Sequence, residues 1–388
     1  MQPWQDSSLD ETRGEFEGIA SERLATPRQD WDDPSGYDPE LWKAAAAAGA
    51  LGVCMPEEMG GRGRSVAHAV AAFEGIGTAI TDSGMLYAMA SQVFGVQMPL
   101  LMMASEEIRE MVVRPAIAGD LALAYAFTEE ASGSDIYSTS TRAVKDGDSW
   151  VLNGAKAYIT NAPMADVALV FALTGEGRSP FALSAFVVDM RSPGASYGRD
   201  FEKVGFRTVR MGELVFEDVR VPKTHVVGRP GAGLNVLTES VGWERSAVLA
   251  ALLGPMRRVL GLVTDWTRTR EAYGAPIGSF QQVSSRVADL VTSHKMARMA
   301  VYDVAGRLSV GGSTQPLMQD IAATKLFVTE TYKQFMLDAM QPFGVRGFLY
   351  DHEIQQHVRD SLAATIWAGT SETMRNTIAK LQGLPVDA

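Results

Sequence analysis

The 388-residue sequence has a single cysteine, Cys54, and too few positive side chains to balance its negative ones. There are 35 Lys and Arg against 46 Asp and Glu, a formal charge of −11. One thiol excludes an internal disulfide framework and a CxxC site, and it fits a reducing, cytoplasmic compartment. The shortage of positive charge argues against a nucleic-acid partner, because neutralising phosphates needs a basic face. The five histidines are scattered, and His352 and His357 stand five apart, off a common helical face, so no metal site is expected. No GxGxxG follows a strand and no GxxxxGKS or GxxxxGKT occurs, so neither a Rossmann crevice nor a P-loop is supported. Met1–Arg13 is polar and acidic, without the basic start and apolar stretch of a secretory signal. Gly84 to Ser105 is uncharged over a bilayer-spanning length, but Gln92, Gln97 and Pro99 interrupt it. A buried helix pair broken at Pro99 is expected there, and no membrane partner.

What is present is ordinary globular material, 46% hydrophobic and 21% charged, and at this length one core is unlikely to serve the whole chain. Three textures follow one another. Residues 1–120 carry helical patterns at Glu40–Ala50, Val66–Thr78 and Glu106–Val113. Residues 121–228 hold short β-branched and aromatic runs at Leu121–Phe127, Ser138–Val144, Ser149–Asn153, Val167–Leu173, Leu183–Asp189 and Glu213–Val219. Asp146-Gly147 stands between two of them as a tight hairpin turn, and a compact antiparallel barrel or sandwich is expected. Residues 229–388 become helical again at Gly242–Gly261, Gln281–Leu308, Pro316–Met340 and Glu353–Ile366, the pattern of a four-helix bundle. The fold class is therefore α+β: an N-terminal helical domain, a central β-domain and a C-terminal bundle.

Four stretches are dense in residue types that do chemistry, and each has a bland reading beside it. Thr128–Asp135 can turn hydroxyls and backbone N–H groups toward an anionic ligand, or can simply be a capped turn. Tyr158 and Thr160 lie two apart on one strand face, which plain sheet packing would also produce. Arg270–Gly274 and Ala368–Glu372 are glycine-bearing turns that could be caps between helices and nothing more.

Together these stretches resemble the acyl-CoA dehydrogenase family over nearly the whole chain. The strings that carry the resemblance are PEEMGG (56–61), AFTEEASGSD (126–135), AKAYITNA (155–162), KVGFR (203–207), ELVFEDVRVP (213–222), REAYGAPIGSFQ (270–281), QPFGVRG (341–347), Arg359-Asp360 and AGTSE (368–372). The resemblance implies non-covalent FAD and a homotetramer built from dimers, or a homodimer. It implies that Thr128, Ser134, Tyr158 and Thr160 line the flavin and its pyrophosphate, Tyr158 standing where the family usually has Trp. Arg270, Tyr273 and Gln281 would reach the FAD of a neighbouring subunit, Gln341 and Gly344 would contact that dinucleotide too, and Thr370 and Glu372 would meet the cofactor from the C-terminal loop. Glu129-Glu130-Ala131, Val209, Met211 and Val345 depart from the family pattern, which puts ordinary CoA-thioester handling in question.

The implied reaction is α,β-dehydrogenation of an acyl thioester, with a carboxylate removing the α-proton while the β-hydrogen leaves as hydride to flavin N5. Most members carry that Glu immediately before the GT of the C-terminal loop, where this chain has Ala368. A branch resembling the isovaleryl-CoA and long-chain dehydrogenases carries it in a bundle helix, and Glu244 of GWERSAVLAALLG matches that position. Glu244 is therefore the expected base and Glu372 the runner-up; the bland reading is a Glu that complements a helix N-terminus. Several functions remain open. The thioester could be carried by CoA, with electrons passing to an electron-transfer flavoprotein. An acyl or aminoacyl group could instead arrive on a carrier protein, with O₂ as acceptor. A non-catalytic scaffold and a flavin monooxygenase are lesser alternatives.

Overall fold

The computed structural model describes residues 6–24, 38–176, 179, 181–310 and 312–386. Short polar residues start its N-terminal helices. Asp6 accepts from the Ser8 N–H ahead of α1 (Ser7–Arg23), Asp38 caps α2 (Pro39–Ala47), and Ser65 caps α3 (Val66–Ala79). Asp82 then caps α4 (Ser83–Ala90), whose residues are all buried. The expected break at Pro99 does not occur. The chain widens into a π turn over Ser91–Gln97 and continues as α5 (Met98–Met103), with Pro99 in its first turn. Proline has no N–H to donate and presses on the carbonyl four residues back, and a π turn absorbs both defects without ending the helix. Short helices α6 (Glu106–Ile108) and α7 (Arg114–Ile117), joined by a second π turn, complete this layer.

The middle layer is one eight-stranded sheet: β1 (Leu123–Ala126), β2 (Arg142–Asp146), β3 (Ser149–Thr160), β4 (Val167–Leu173), β5 (Leu183–Asp189), β6 (Ala195–Asp200), β7 (Met211–Pro222) and β8 (Val226–Val227). Its path is β6-β7-β3-β2-β4-β5-β8, with β1 added beside β4. The Asp146-Gly147 hairpin forms as expected, pairing Asp146 with Ser149 around a left-handed Gly147. The sheet is not purely antiparallel, since β4 runs parallel to β1 and touches β2 in parallel. Both faces of β4 and β5 are buried, which explains why these strands are apolar throughout instead of alternating. The run expected from Ser138 starts only at Arg142, because Ile136–Ser138 coils into a 3₁₀ turn. The polar edge strand β6 lacked any apolar alternation that would have announced it.

The last layer holds α8 (Gly233–Glu244), α9 (Ala250–Thr269), the small β9 (Glu271–Ala272) and β10 (Ala275–Pro276) hairpin, α10 (Gln281–Leu308), α11 (Met318–Met340), α12 (Glu353–Ser361) and α13 (Ser371–Leu381). The helix expected to begin at Gly242 is two helices, parted at Arg245–Leu249 by a 3₁₀ turn over Ala247–Leu249. Gly233 opens α8, and a Cβ there would lie 2.7 Å from the Leu183 and Ser184 backbone of β5. Ser83–Met103 and Gly233–Thr269 are long and apolar enough to cross a membrane by composition. Their most apolar windows are 89% and 67% buried inside the fold, which accounts for that character.

Candidate active site

Glu244 is the last residue of α8, half-buried where the π turn of the N-terminal layer meets the C-terminal layer. Burial pushes its carboxyl up to about 7, opposed by a hydrogen bond from Ser91 Oγ at 3.1 Å and by the charge of Arg245. The bland reading fails on geometry: a carboxylate at a helix C-terminus faces the negative end of the macrodipole. Arg245, whose own pKa burial lowers to about 10, donates from Nε to the Ala368 carbonyl at 2.7 Å. Lys325, lowered to about 8 by burial and then by Arg245, donates to the Gly369 carbonyl at 2.6 Å. Two cations from different helices thus pin a loop whose Ala368 and Gly369 both have positive φ, 48° and 97°. Glu372 lies just beyond, in the first turn of α13 capped by Thr370. Its own backbone N–H and the Thr370 hydroxyl hold it below the usual carboxylate range, and it is open to solvent, so it is poorly placed to hold a proton.

An aromatic wall stands over Glu244. Tyr87 stacks on Trp367 with ring centroids 4.1 Å apart, and Phe206 closes the stack at 5.3 Å from Tyr87 and 5.7 Å from Trp367. The Tyr87 hydroxyl meets Thr160, tying this wall to the end of β3. Tyr125 presents a buried hydroxyl, and Trp367 a buried indole N–H, that have no partner among the described residues. Burial and the nearby Glu244 raise both tyrosines well above their ordinary range, so both are neutral hydrogen-bonding groups.

The four β-layer residues expected at a cofactor lie on two adjoining segments. Thr128 leaves β1 and its carbonyl accepts from the Ala157 N–H at 2.9 Å, which sets the Thr128–Ser134 loop beside Tyr158 and Thr160 of β3. A register shift between Lys156 and Ile159 gives Tyr158 a φ of 60° and turns its ring outward onto Phe201. Beneath the loop, Lys156 Nζ meets Glu129 Oε1 at 2.7 Å inside a shell of Thr139, Ser140 and Thr141 donors. Burial works against the charge on Glu129, but Lys156 and the hydroxyls hold its carboxyl well below the usual range. The departure from the family pattern at Glu129 is therefore a loop anchor, paired with Lys156 of β3.

The remaining expected residues form a separate patch. Trp266 carries Arg270 over its ring at 5.9 Å and Arg346 at 5.2 Å, and its indole donates to the Pro342 carbonyl at 2.8 Å. This brings the Gln341–Gly344 turn beside Arg270. Tyr273 is fully exposed and packs edge-on against Phe280, next to Gln281 at the start of α10. The structure thus unites Glu244 with the 160 and 368–372 segments, and holds Arg270, Tyr273, Gln281, Gln341 and Gly344 together on the surface. Tyr87, Ser91, Gly95, Tyr125 and Lys325 were missed. Gly95, four residues before Pro99 in an apolar helix, was the one legible hint.

Comparison with known proteins decides what this arrangement is. Profiles of the N-terminal, middle and C-terminal domains of acyl-CoA dehydrogenase match residues 7–120, 124–219 and 231–382. The chain belongs to the acyl-CoA dehydrogenase family. It is 34% identical over 340 residues to an L-prolyl-[peptidyl-carrier protein] dehydrogenase of Pseudomonas fluorescens, covering 87% of this chain and 89% of that one. The solved structure of the prolyl acyl carrier protein oxidase AnaB superposes with a TM-score of 0.94 at 30% identity, over 98% of this chain and 100% of that one. PigA with FAD and proline superposes with a TM-score of 0.93 at 27% identity, over 98% and 99%.

Members of this family are FAD-dependent oxidoreductases acting on CH–CH bonds, and the residues present here fit that cofactor. Asn161, left-handed at φ 65°, keeps a buried side-chain oxygen without a partner among the described residues, just past the end of β3. A Cβ at Gly133 would meet only Thr128 Cγ2 at 3.9 Å, and one at Gly344 would meet nothing within 4 Å. Open backbone and an unpaired acceptor suit a long polar dinucleotide.

Proposed function

We propose that this acyl-CoA dehydrogenase family member removes the α-proton of a small acyl or aminoacyl thioester through Glu244, with the substrate delivered on a carrier protein. The observation that carries the reading is a half-buried carboxyl at the layer junction, raised to about 7, next to the Arg245 that holds the loop bearing alanine at 368. A group with that pKa is ionised often enough near neutrality to take a proton and basic enough to keep it. FAD, when bound, supplies the acceptor for the β-hydrogen leaving as hydride. Thr128, Ser134, Tyr158 and Thr160 would hold it from the β-layer and Thr370 and Glu372 from the C-terminal loop. Arg270, Tyr273, Gln281, Gln341 and Gly344 would hold the FAD of an adjacent subunit, which makes a homodimer or homotetramer part of the site.

The Tyr87–Trp367–Phe206 stack places an apolar aromatic surface near the base, which suits a compact acyl group. The unpaired Tyr125 hydroxyl and Trp367 N–H suit a substrate with a polar atom near its α-carbon, since a plain hydrocarbon would leave them unsatisfied. The carrier-bound substrates named for its relatives support the same reading. The name AnaB carries also favours oxygen as one electron acceptor to test beside an electron-transfer flavoprotein.

Anaerobic flavin bleaching with matched panels of acyl-CoA and carrier-bound thioesters tests the proposal. Bleaching is expected with carrier-bound aminoacyl groups, rising with pH through about 7 as Glu244 ionises. Glu244→Gln is expected to slow it by about 10²- to 10⁴-fold. Wild-type bleaching in that variant would overturn the base, and bleaching by CoA esters alone would overturn the carrier.

A further inference from the structure

The base-bearing end of α8 packs against the one irregular stretch of the neighbouring helix, and that irregularity has a local cause. The ring of Pro99 would press on the carbonyl of Gly95, four residues back. The π turn over Ser91–Gln97 relieves it, with every residue of the turn buried. The widened turn meets Glu244 at two points. Ser91 Oγ donates to Glu244 Oε1 at 3.1 Å. A Cβ added at Gly95 would lie 2.6 Å from Oε1, 3.0 Å from Cγ and 3.1 Å from Cδ of the same side chain. Any side chain at 95 would therefore take the volume the carboxyl now fills.

The titratable groups facing Glu244 from the surrounding elements are Arg245 beside it, Tyr87 on α4 and Tyr125 on β1. Both tyrosines stay neutral across the accessible pH range, so only Arg245 and the Ser91 hydroxyl favour the ionised carboxyl. Burial opposes them both.

We propose that the Ser91–Gln97 π turn positions the base: Gly95 leaves the slot that the Glu244 carboxyl occupies, and Ser91 orients that carboxyl and favours its ionised form. The inference rests on Glu244 acting as base. Ser91 and Gly95 touch the base and act through it, as positioning residues. Proline at 99, glycine at 95 and alanine at 368 then become one arrangement, in which a carboxyl rising from α8 needs an emptied turn opposite it.

Two readouts on FAD-loaded protein separate this role from a structural one. The first is the rate of anaerobic flavin reduction by a carrier-bound thioester between about pH 5.5 and about pH 9.5. The second, independent of turnover, is infrared titration of the carboxylic C=O band that Glu244→Gln removes. Ser91→Ala is expected to raise the carboxyl pKa by about half to one unit in both readouts, so that the rate falls about 3- to 10-fold near pH 6.5 and recovers near pH 9. Gly95→Ala is expected to slow reduction at least about tenfold at every pH, because the carboxyl is displaced. In a Glu244→Asp background, where the shorter side chain withdraws from the slot, the same alanine is expected to change the rate less than about twofold. Should Gly95→Ala fail to fold, recovery of folding in Gly95→Ala/Glu244→Ala supports the slot, and continued failure overturns it. An unshifted band in Ser91→Ala, or equal losses from Gly95→Ala in the Glu and Asp backgrounds, overturns the proposal. Wild-type reduction by Glu244→Gln overturns the base itself.

Discussion

Glu244 destabilises the fold that holds it. Its ordinary pKa is 4.5 and in the fold burial raises it to about 7. Below the lower value both folded and unfolded chains hold the proton, and above the upper value both have lost it. Between them the folded state keeps a proton that the unfolded chain releases, so stability falls as pH rises through that window and stays lower above it. The shift corresponds to on the order of 3 kcal/mol at high pH. Glu244→Gln has no charge to bury. Its melting temperature is expected to match the wild type near about pH 4.5 and to exceed it near about pH 8.5, measured by calorimetry on FAD-loaded protein. A variant that melts with the wild type at both pH values would show that the carboxyl finds compensation in the fold. Asp360 makes a similar case elsewhere: burial raises it to about 7, and one oxygen accepts from the Phe206 N–H at 2.5 Å, fixing the turn that carries Phe206 to the aromatic wall.

Between elements, the close crossing of α3 and α9 depends on glycines that face each other. A Cβ at Gly254 of α9 would stand 2.5 Å from the Glu74 carbonyl and 2.6 Å from the Gly77 backbone of α3, and one at Gly77 would strike Pro255 and Gly254 in return. Backbone meets backbone there, so no side chain can yield to admit a methyl group. Gly254→Ala is expected to lower stability by about 1–3 kcal/mol, read as a lower denaturant midpoint with an unchanged slope. The crossing matters to the site because α9 continues from the turn that ends α8, and α3 leads into α4 with Tyr87. Arg258 of α9 reinforces the same junction, pairing with both oxygens of Glu353 at 3.0 Å while donating to the Thr78 and Ala79 carbonyls at the end of α3. A guanidinium at a helix C-terminus is well placed against the macrodipole, the reverse of the position Glu244 must accept.

Across the whole molecule, charge and exposure are unevenly spread. Residues 1–120 hold 8 Lys and Arg against 19 Asp and Glu, whereas residues 121–388 hold 27 of each. The entire −11 belongs to residues 1–120, and the rest of the chain, which carries the segments expected to meet FAD, sums to zero. An acidic excess kept away from an anionic dinucleotide avoids repelling it. Exposure points the same way at the second patch. Tyr273, Val345 and Phe348 are largely bare, beside Arg270 and Gly344. Tyr273→Ser is expected to lower retained FAD per subunit after gel filtration and to loosen the assembly by light scattering, while the fold keeps its helical content. Full retention in that variant would place the dinucleotide's outer half elsewhere.

By itself the sequence determined the order of helical, β and helical layers, the two central strands Val167–Leu173 and Leu183–Asp189, helix Gln281–Leu308, and the motif strings that carry the family. Each depends on local information: hydrophobic period, turn residues, or a motif string. Glu129 and Lys156 show where that information ends, because 27 residues separate two charges that are meaningful only as a buried pair. The tertiary structure alone decided that Pro99 makes a π turn instead of a break, that Gly95 and Ser91 face Glu244, and that Arg245 and Lys325 grip the 368–369 loop. Those facts depend on what packs against a residue from another layer. No period or spacing along the chain encodes a contact between residues 91 and 244, because it exists only once both helices are buried against each other.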